Sequence, residues 1–101
     1  MPLVKVAPLA KFPPGSLTEV VSDGNSYAVC NVNGELLAMD GICLHAGGPL
    51  GQGALHGDIV VCPWHAWEYN CRTGALVGDE DLKVDTFPVK VEGGEIFLEV
   101  P

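Results

Sequence analysis

Short runs of apolar side chains, some of them alternating strictly with polar ones, divide the chain into strand-sized segments. Phe87–Glu92 alternates, a glycine pair interrupts the pattern, and Ile96–Val100 alternates again. Tyr27–Val32 and Glu35–Asp40 are two further apolar runs, joined by Asn33-Gly34. This dipeptide suits a tight type I′ turn, because both central positions need a positive φ. The patterns therefore predict two antiparallel hairpins.

Four other short segments complete the predicted set of strands, and turn residues separate them: Leu3–Ala7, Thr18–Ser22, Asp58–Val61 and Trp67–Tyr69. No apolar pattern of period 3.6 is long enough for a substantial helix. The fold class is therefore expected to be all-β, as a small antiparallel β-sandwich or a partly open barrel. A chain of 101 residues has the length of one domain, so we expect a single domain over 1–101.

The segment Gly41–Gly57 departs from this strand-like texture. It contains six glycines and one proline, which surround Cys43, His45 and His56. A loop of this length without its own periodicity usually carries function in a compact domain. We therefore expect the chemistry of the protein in this segment, with His56 as a turn or surface residue.

Two short clusters of metal-binding side chains stand at turn-like sites. Cys43-Leu44-His45 is followed, after sixteen intervening residues, by Cys62-Pro63-Trp64-His65. Two cysteines and two histidines can hold a single zinc ion, or a [2Fe–2S] cluster with both Cys on one iron and both His on the other. Zinc sites more often pair like ligands within one knuckle. Here each loop supplies one ligand of each kind, which favours the cluster.

The motif C-x-H-x₁₆-C-x₂-H resembles that of Rieske proteins, and the chain is most similar to the small Rieske-type ferredoxins of bacterial multicomponent aromatic-ring dioxygenases. The resemblance spans nearly the whole chain. It implies one [2Fe–2S] cluster, with Cys43 and Cys62 on the buried iron and His45 and His65 on the outer iron near the surface. It also implies a cluster-binding subdomain of two loops, at about 41–57 and 62–67.

The resemblance implies a soluble one-electron carrier without catalytic residues, passing electrons from a flavin-dependent reductase to a terminal oxygenase. The alternative is a Rieske-like small subunit of an assimilatory nitrite reductase or of another fixed complex. The chain is not expected to be the oxygenase itself. That enzyme needs a second, mononuclear iron held by two histidines and a carboxylate, and only three histidines are present, two of them assigned to the cluster.

The high-potential respiratory members of the family differ from this chain around the cluster. Those members carry a disulfide at the positions of Gly48 and Trp64. At the position of Trp67 they carry a hydroxyl group that donates a hydrogen bond to a cluster sulfur. Tyr69 matches a tyrosine of those members. Because loss of a donor to sulfur disfavours the more negative reduced state, we expect a reduction potential in the lower part of the Rieske range of roughly −150 to +300 mV.

Charge and composition restrict the partners. Thirteen acidic residues against five basic ones give a net charge of −8. This argues against nucleic acid and anionic membranes, which are bound through Lys and Arg, and favours partners with basic surfaces.

Met1–Lys5 lacks the apolar stretch of a secretory signal, so we expect a cytoplasmic protein, and a monomer that meets its partners transiently. In a reducing cytoplasm Cys30 and Cys71 are expected to be small buried hydrophobes.

Overall fold

The computed structural model describes residues 3–101, so the first two residues of the predicted domain 1–101 lie outside the described part. Short strands dominate this part, together with two 3-10 turns, at Leu9–Lys11 and Leu50–Gln52. The strands are β1 (Leu3–Pro8), β2 (Leu17–Ser22), β3 (Asn25–Val32), β4 (Glu35–Asp40), β5 (Ala54–His56), β6 (Ile59–Val61), β7 (Glu68–Asn70), β8 (Ala75–Leu76), β9 (Asp79–Lys83), β10 (Thr86–Phe87), β11 (Val89–Glu92) and β12 (Glu95–Glu99).

The strands form three antiparallel sheets, and the four-stranded sheet β10-β4-β3-β2 has a core on each face. On one face of β3, Val29 packs with Ile96 and Leu98 of the three-stranded sheet β1-β12-β11. On the other face, Cys30 packs with Val60 and Tyr69 of the five-stranded sheet β5-β6-β7-β8-β9. A strand buried on both faces needs apolar residues at every position. This explains the unbroken apolar run in the middle of β3.

The turn between β3 and β4 has the predicted conformation. Asn33 and Gly34 both have positive φ, of 52° and 95°. The buried side chain of Asn31 supports this turn, because its Oδ1 accepts the N–H of Gly34 at 2.7 Å. Its Nδ2 donates to the carbonyl oxygen of Phe12 at 2.8 Å, which ties the hairpin to the preceding loop.

One predicted strand is divided in the structure. Phe87–Glu92 was expected as one strand, but Pro88 separates β10, which pairs with β4, from β11, which pairs with β12. Proline has no N–H to donate to a ladder, so the chain passes from one sheet to the next at this residue. The prediction of a continuous strand here is wrong, whereas the all-β fold with open, antiparallel sheets is confirmed.

Strands β5, β8 and β9 were not predicted. β5 lies within the glycine-rich segment 41–57, which was expected to be a loop, and β8 contains only two residues. Every residue of β9 is exposed, so this strand has no apolar face that a sequence could reveal. No helix within residues 3–101 has the length and apolar character needed to cross a membrane.

Candidate metal centre

Two loops, 43–48 and 62–67, share one pattern of backbone hydrogen bonds. In the first, the N–H of Cys43 donates to the carbonyl oxygen of Gly48 at 2.9 Å, and the N–H of Gly47 donates back to the carbonyl oxygen of Cys43 at 2.9 Å. In the second, Cys62 makes the same two bonds at the equivalent positions 67 and 66, at 2.8 and 3.0 Å. Each predicted cysteine ligand therefore begins a tight loop that is closed by two backbone bonds.

The equivalent fourth residues after each cysteine have left-handed backbone conformations. Gly47 has a φ of 75° and Ala66 a φ of 58°. Glycine adopts this conformation freely, whereas an alanine there is strained by its Cβ. The second loop thus holds one strained residue directly after His65.

The structure brings the four predicted ligands together as two pairs. Cys43 and Cys62 are both 2% exposed, and the side chain of Cys62 is one of the groups that lower the pKa of the Cys43 thiol. His45 and His65 are exposed, with their ring centroids 4.7 Å apart and the ring planes at 73°. The pairing therefore separates a buried sulfur end from an exposed imidazole end.

This donor set fits a two-iron cluster. Among residues 3–101, no three side chains of His, Cys, Asp or Glu are gathered as a single metal ion would require. Instead, two thiols lie together on the inside and two imidazoles lie together on the outside. A Rieske-type [2Fe–2S] cluster takes its ligands in this way, two cysteines on one iron and two histidines on the other.

Tyr69 places a polar group against the buried sulfur of Cys43. It is fully buried, and its hydroxyl oxygen lies 3.3 Å from Sγ of Cys43. The same oxygen accepts the N–H of Leu44 at 2.9 Å, so its proton is free to point at the sulfur. Burial, followed by the contact with Cys43, raises the pKa of Tyr69 to about 12. The phenol is therefore a neutral donor to this sulfur.

Hydrogen bonds around Cys43 favour its charged form. Burial raises the pKa of this thiol, but the hydroxyl of Tyr69 and the backbone N–H groups of His45 and Ala46 lower it, and the net pKa lies below that of a free cysteine. A thiolate is the form in which cysteine binds metal. The loop thus prepares this sulfur for ligation.

Gly48 lies against the second loop with no room for a side chain. A Cβ at this position would lie 2.8 Å from Sγ of Cys62 and 3.1 Å from the ring of Trp64. The two positions that carry a disulfide in high-potential members are thus adjacent here, and the indole fills the space. Trp64 also remains 56% exposed.

Trp67 contacts the opposite loop. Its ring stacks on the imidazole of His45 with a centroid distance of 4.4 Å and an angle of 10°. Nothing in the sequence reveals which histidine it covers, because the contact depends on how the two loops face each other.

The surface beside the imidazoles is partly apolar. Ile42 and Leu44 are 45% and 48% exposed, and with Trp64 they give the loops apolar surface next to the two histidines.

The remaining histidine, His56, is exposed at the end of β5. The acidic residues Asp79–Asp81 are exposed on β9.

Comparison with known proteins gives consistent results. The sequence model of the Rieske [2Fe-2S] domain matches residues 3–88. The ferredoxin component of the naphthalene 1,2-dioxygenase system of Pseudomonas aeruginosa is 31% identical over 93 residues, which cover 91% of this chain and 89% of that protein.

Solved structures also resemble the chain over nearly its full length. The ferredoxin of carbazole 1,9a-dioxygenase from Nocardioides aromaticivorans IC177 superposes with a TM-score of 0.84 at 30% identity, covering 97% of both chains. A chain from a complex of reduced oxygenase and oxidized ferredoxin in carbazole 1,9a-dioxygenase superposes with a TM-score of 0.87 at 28% identity, covering 95% of this chain and 91% of that one. A putative NADH-dependent nitrite reductase small subunit from Mycobacterium tuberculosis shares the fold at 19% identity, with a TM-score of 0.84 and coverage of 98% and 96%.

Proposed function

The chain belongs to the Rieske [2Fe–2S] domain family, and on that basis we propose that it is the ferredoxin of an aromatic-ring dioxygenase system. It carries single electrons from a flavin-dependent reductase to a terminal oxygenase and is not itself an enzyme. The observation that carries this proposal is the arrangement of the four ligand side chains, with the thiols buried and the imidazoles exposed. Such an arrangement protects a cluster from water on one side and offers it to a partner on the other.

Within the proposed single domain 1–101, the loops at about 41–57 and 62–67 hold the cluster. Cys43 and Cys62 bind the inner iron, and His45 and His65 bind the outer one. The cluster supplies a site that accepts and releases one electron. The chain fixes the orientation of this site through the backbone bonds of both loops and through Trp67, which covers one face of the His45 imidazole.

The hydrogen-bond donors around the cysteines set the potential. Tyr69 donates to Cys43, and this donor stabilises the reduced, more negative state. Trp67, however, stands where the high-potential members have a hydroxyl, and its ring is stacked on His45. With one of two hydroxyl donors present, the potential lies in the lower part of the Rieske range.

Partners dock at the imidazole end. An electron carrier meets its donor and its acceptor in turn, so its contacts must be small and short-lived. The apolar surface of Ile42, Leu44 and Trp64 supplies such a contact, and the net charge of −8 draws partners with basic patches. The protein acts as a monomer in the cytoplasm.

The ligand assignment is tested by metal analysis of single variants. The wild-type protein should contain about two irons and two acid-labile sulfides. His45→Ala and Cys62→Ala should lose the cluster, whereas His56→Ala, which removes the remaining histidine, should retain it. Stoichiometric zinc in place of iron, or loss of the cluster in the His56 variant alone, would show that the assignment is wrong.

The shuttle role is tested by the rate of electron transfer from the reduced protein to the oxygenase. Exposed charges are screened beyond roughly 8–10 Å at physiological salt, so the second-order rate should fall as ionic strength rises. Asp79→Asn with Asp81→Asn should weaken this dependence more than Glu92→Gln with Glu99→Gln on the three-stranded sheet. A rate insensitive to salt, with a complex that survives gel filtration, would instead indicate a fixed subunit.

A further inference from the structure

Two of the four cysteines, Cys30 and Cys71, lie outside the two proposed cluster loops and belong to one buried core. Cys30 lies on β3 in the central sheet, and Cys71 follows β7 of the five-stranded sheet. Both are 1% exposed, both are free thiols, and both belong to the same core. The side chain of each is the strongest influence on the pKa of the other, as expected of two neighbouring thiols. The pair therefore spans the boundary between two sheets.

Cys71 is one of the residues that line an open cavity at the surface. Cys71 and Leu37 line one open cavity of about 350 Å³, and Leu37 is the direct cross-strand partner of Cys30. The next residue, Arg72, forms an ion pair with Glu35 of β4, so the same boundary is also bridged by charged side chains on the outside. A small oxidant entering this cavity would reach Cys71 before Cys30.

We propose that Cys30 and Cys71 form a redox-responsive pair, which a peroxide converts into a disulfide between the central and five-stranded sheets. The sulfur of Cys71 attacks one oxygen of hydrogen peroxide, the O–O bond breaks, and one water leaves as a sulfenic acid forms. The sulfur of Cys30 then attacks the sulfur of Cys71, the S–S bond forms and a second water leaves. The two thiols together lose two electrons and two protons to the peroxide.

The opposite pKa shifts of the two thiols support this order of events. A hydrogen bond from Cys30 lowers the pKa of the Cys71 thiol, more than burial raises it. The hydrogen bond with Cys71, together with burial, raises the pKa of Cys30 far above its usual value. Cys71 therefore has the greater thiolate character, and the thiolate is the nucleophile.

The consequence of the bond follows from its place in the chain. A disulfide from Cys30 to Cys71 closes a ring that contains all four proposed ligands of the cluster. Closing a ring of about 40 residues restricts the unfolded chain, and on the loop-entropy estimate it lowers the unfolding equilibrium constant by roughly 10²- to 10³-fold. Peroxide would thus fasten the cluster-binding segment to the central sheet.

Peptide mapping of the cluster-loaded protein tests this directly. After treatment with hydrogen peroxide, the protein is alkylated in denaturant and cleaved after glutamate. Cleavage places Cys30 in peptide 20–35, Cys71 in peptide 69–80, and both proposed cysteine ligands in peptide 36–68. We expect peptides 20–35 and 69–80 joined, with a mass two hydrogens below their sum. Peptide 36–68 should be alkylated at both cysteines, and the visible absorbance of the cluster should be retained.

Two variants and one stability measurement complete the test. Cys30→Ala and Cys71→Ala should give no joined peptide, and peroxide should raise the urea midpoint of the wild type but of neither variant. The proposal is overturned if peptides 20–35 and 69–80 stay separate at peroxide doses that leave the cluster intact. It is equally overturned if the wild-type disulfide involves peptide 36–68.

Discussion

Replacing Tyr69 by phenylalanine removes a single hydroxyl from the buried side of the metal centre. This hydroxyl lies 3.3 Å from Sγ of Cys43 and accepts the N–H of Leu44 at 2.9 Å. Tyr69 is fully buried, and the phenylalanine ring fills the same space, so core packing is preserved. The change therefore removes the hydrogen bond to sulfur and the bond from the N–H of Leu44, and it leaves the packing of the core intact.

The expected change in potential follows from the strength of that bond. A hydrogen bond to a charged group contributes about 1.5–3 kcal/mol, and a contact of this length belongs at the lower end. If the bond gains about 1 kcal/mol when the centre takes up an electron, its loss lowers the potential by about 40 mV, because 59 mV corresponds to a tenfold change in a one-electron equilibrium. Loss of the hydrogen bond from the N–H of Leu44, a half-exposed residue, costs a further 0.5–1.5 kcal/mol or so of folding stability.

Film voltammetry at fixed pH measures the shift, and Tyr27→Phe is the matched control. Tyr27 is the other tyrosine of the chain, and it is buried against Phe87 in the core on the opposite face of the central sheet. The control should keep the wild-type potential. A potential of Tyr69→Phe within about 10 mV of wild type, at equal iron content, would refute the claim that this hydroxyl acts on the cluster.

Three other substitutions probe the loops and the scaffold. Gly48→Ala introduces a Cβ 2.8 Å from Sγ of Cys62 and should destabilise the protein by about 1–3 kcal/mol and lower its iron content, as seen in urea unfolding and metal analysis. Asn31→Ala removes two hydrogen bonds of a buried side chain, so the free energy of unfolding should fall by about 2–3 kcal/mol in urea titration. Burial raises the pKa of Asp40, so the charged carboxylate is disfavoured in the folded state and wild-type stability falls as pH rises through that pKa. Asp40→Asn should therefore be more stable than wild type at neutral pH, and thermal melts should show this gain disappearing as the pH falls towards 4.

The sequence was informative wherever a local rule sufficed. Asn33-Gly34 predicts its turn because the backbone itself requires positive φ at both positions. Cys43 and Cys62 stand out because paired cysteine and histidine at turn sites are rare without metal. The strands of the two predicted hairpins alternate or run apolar over enough residues to be recognised, although one of them is divided at Pro88.

Contacts between distant segments could not be predicted in the same way. Cys30 and Cys71 are about forty residues apart, and their contact exists only because two sheets pack face to face. Trp67 stacks on His45 for the same kind of reason. Strand β9 is defined by its pairing with β8 and has no buried face of its own. These features depend on tertiary arrangement, which no local pattern encodes.

The matched backbone bonds of loops 43–48 and 62–67 also bear on how fast an electron can move. These bonds join backbone groups to one another, so they do not depend on the charge of the centre. Groups that are already fixed need not reorient when the charge changes, and little reorganisation energy is then required. We therefore expect the loops to change little on reduction, which favours rapid exchange with partners even when the difference in potential is small.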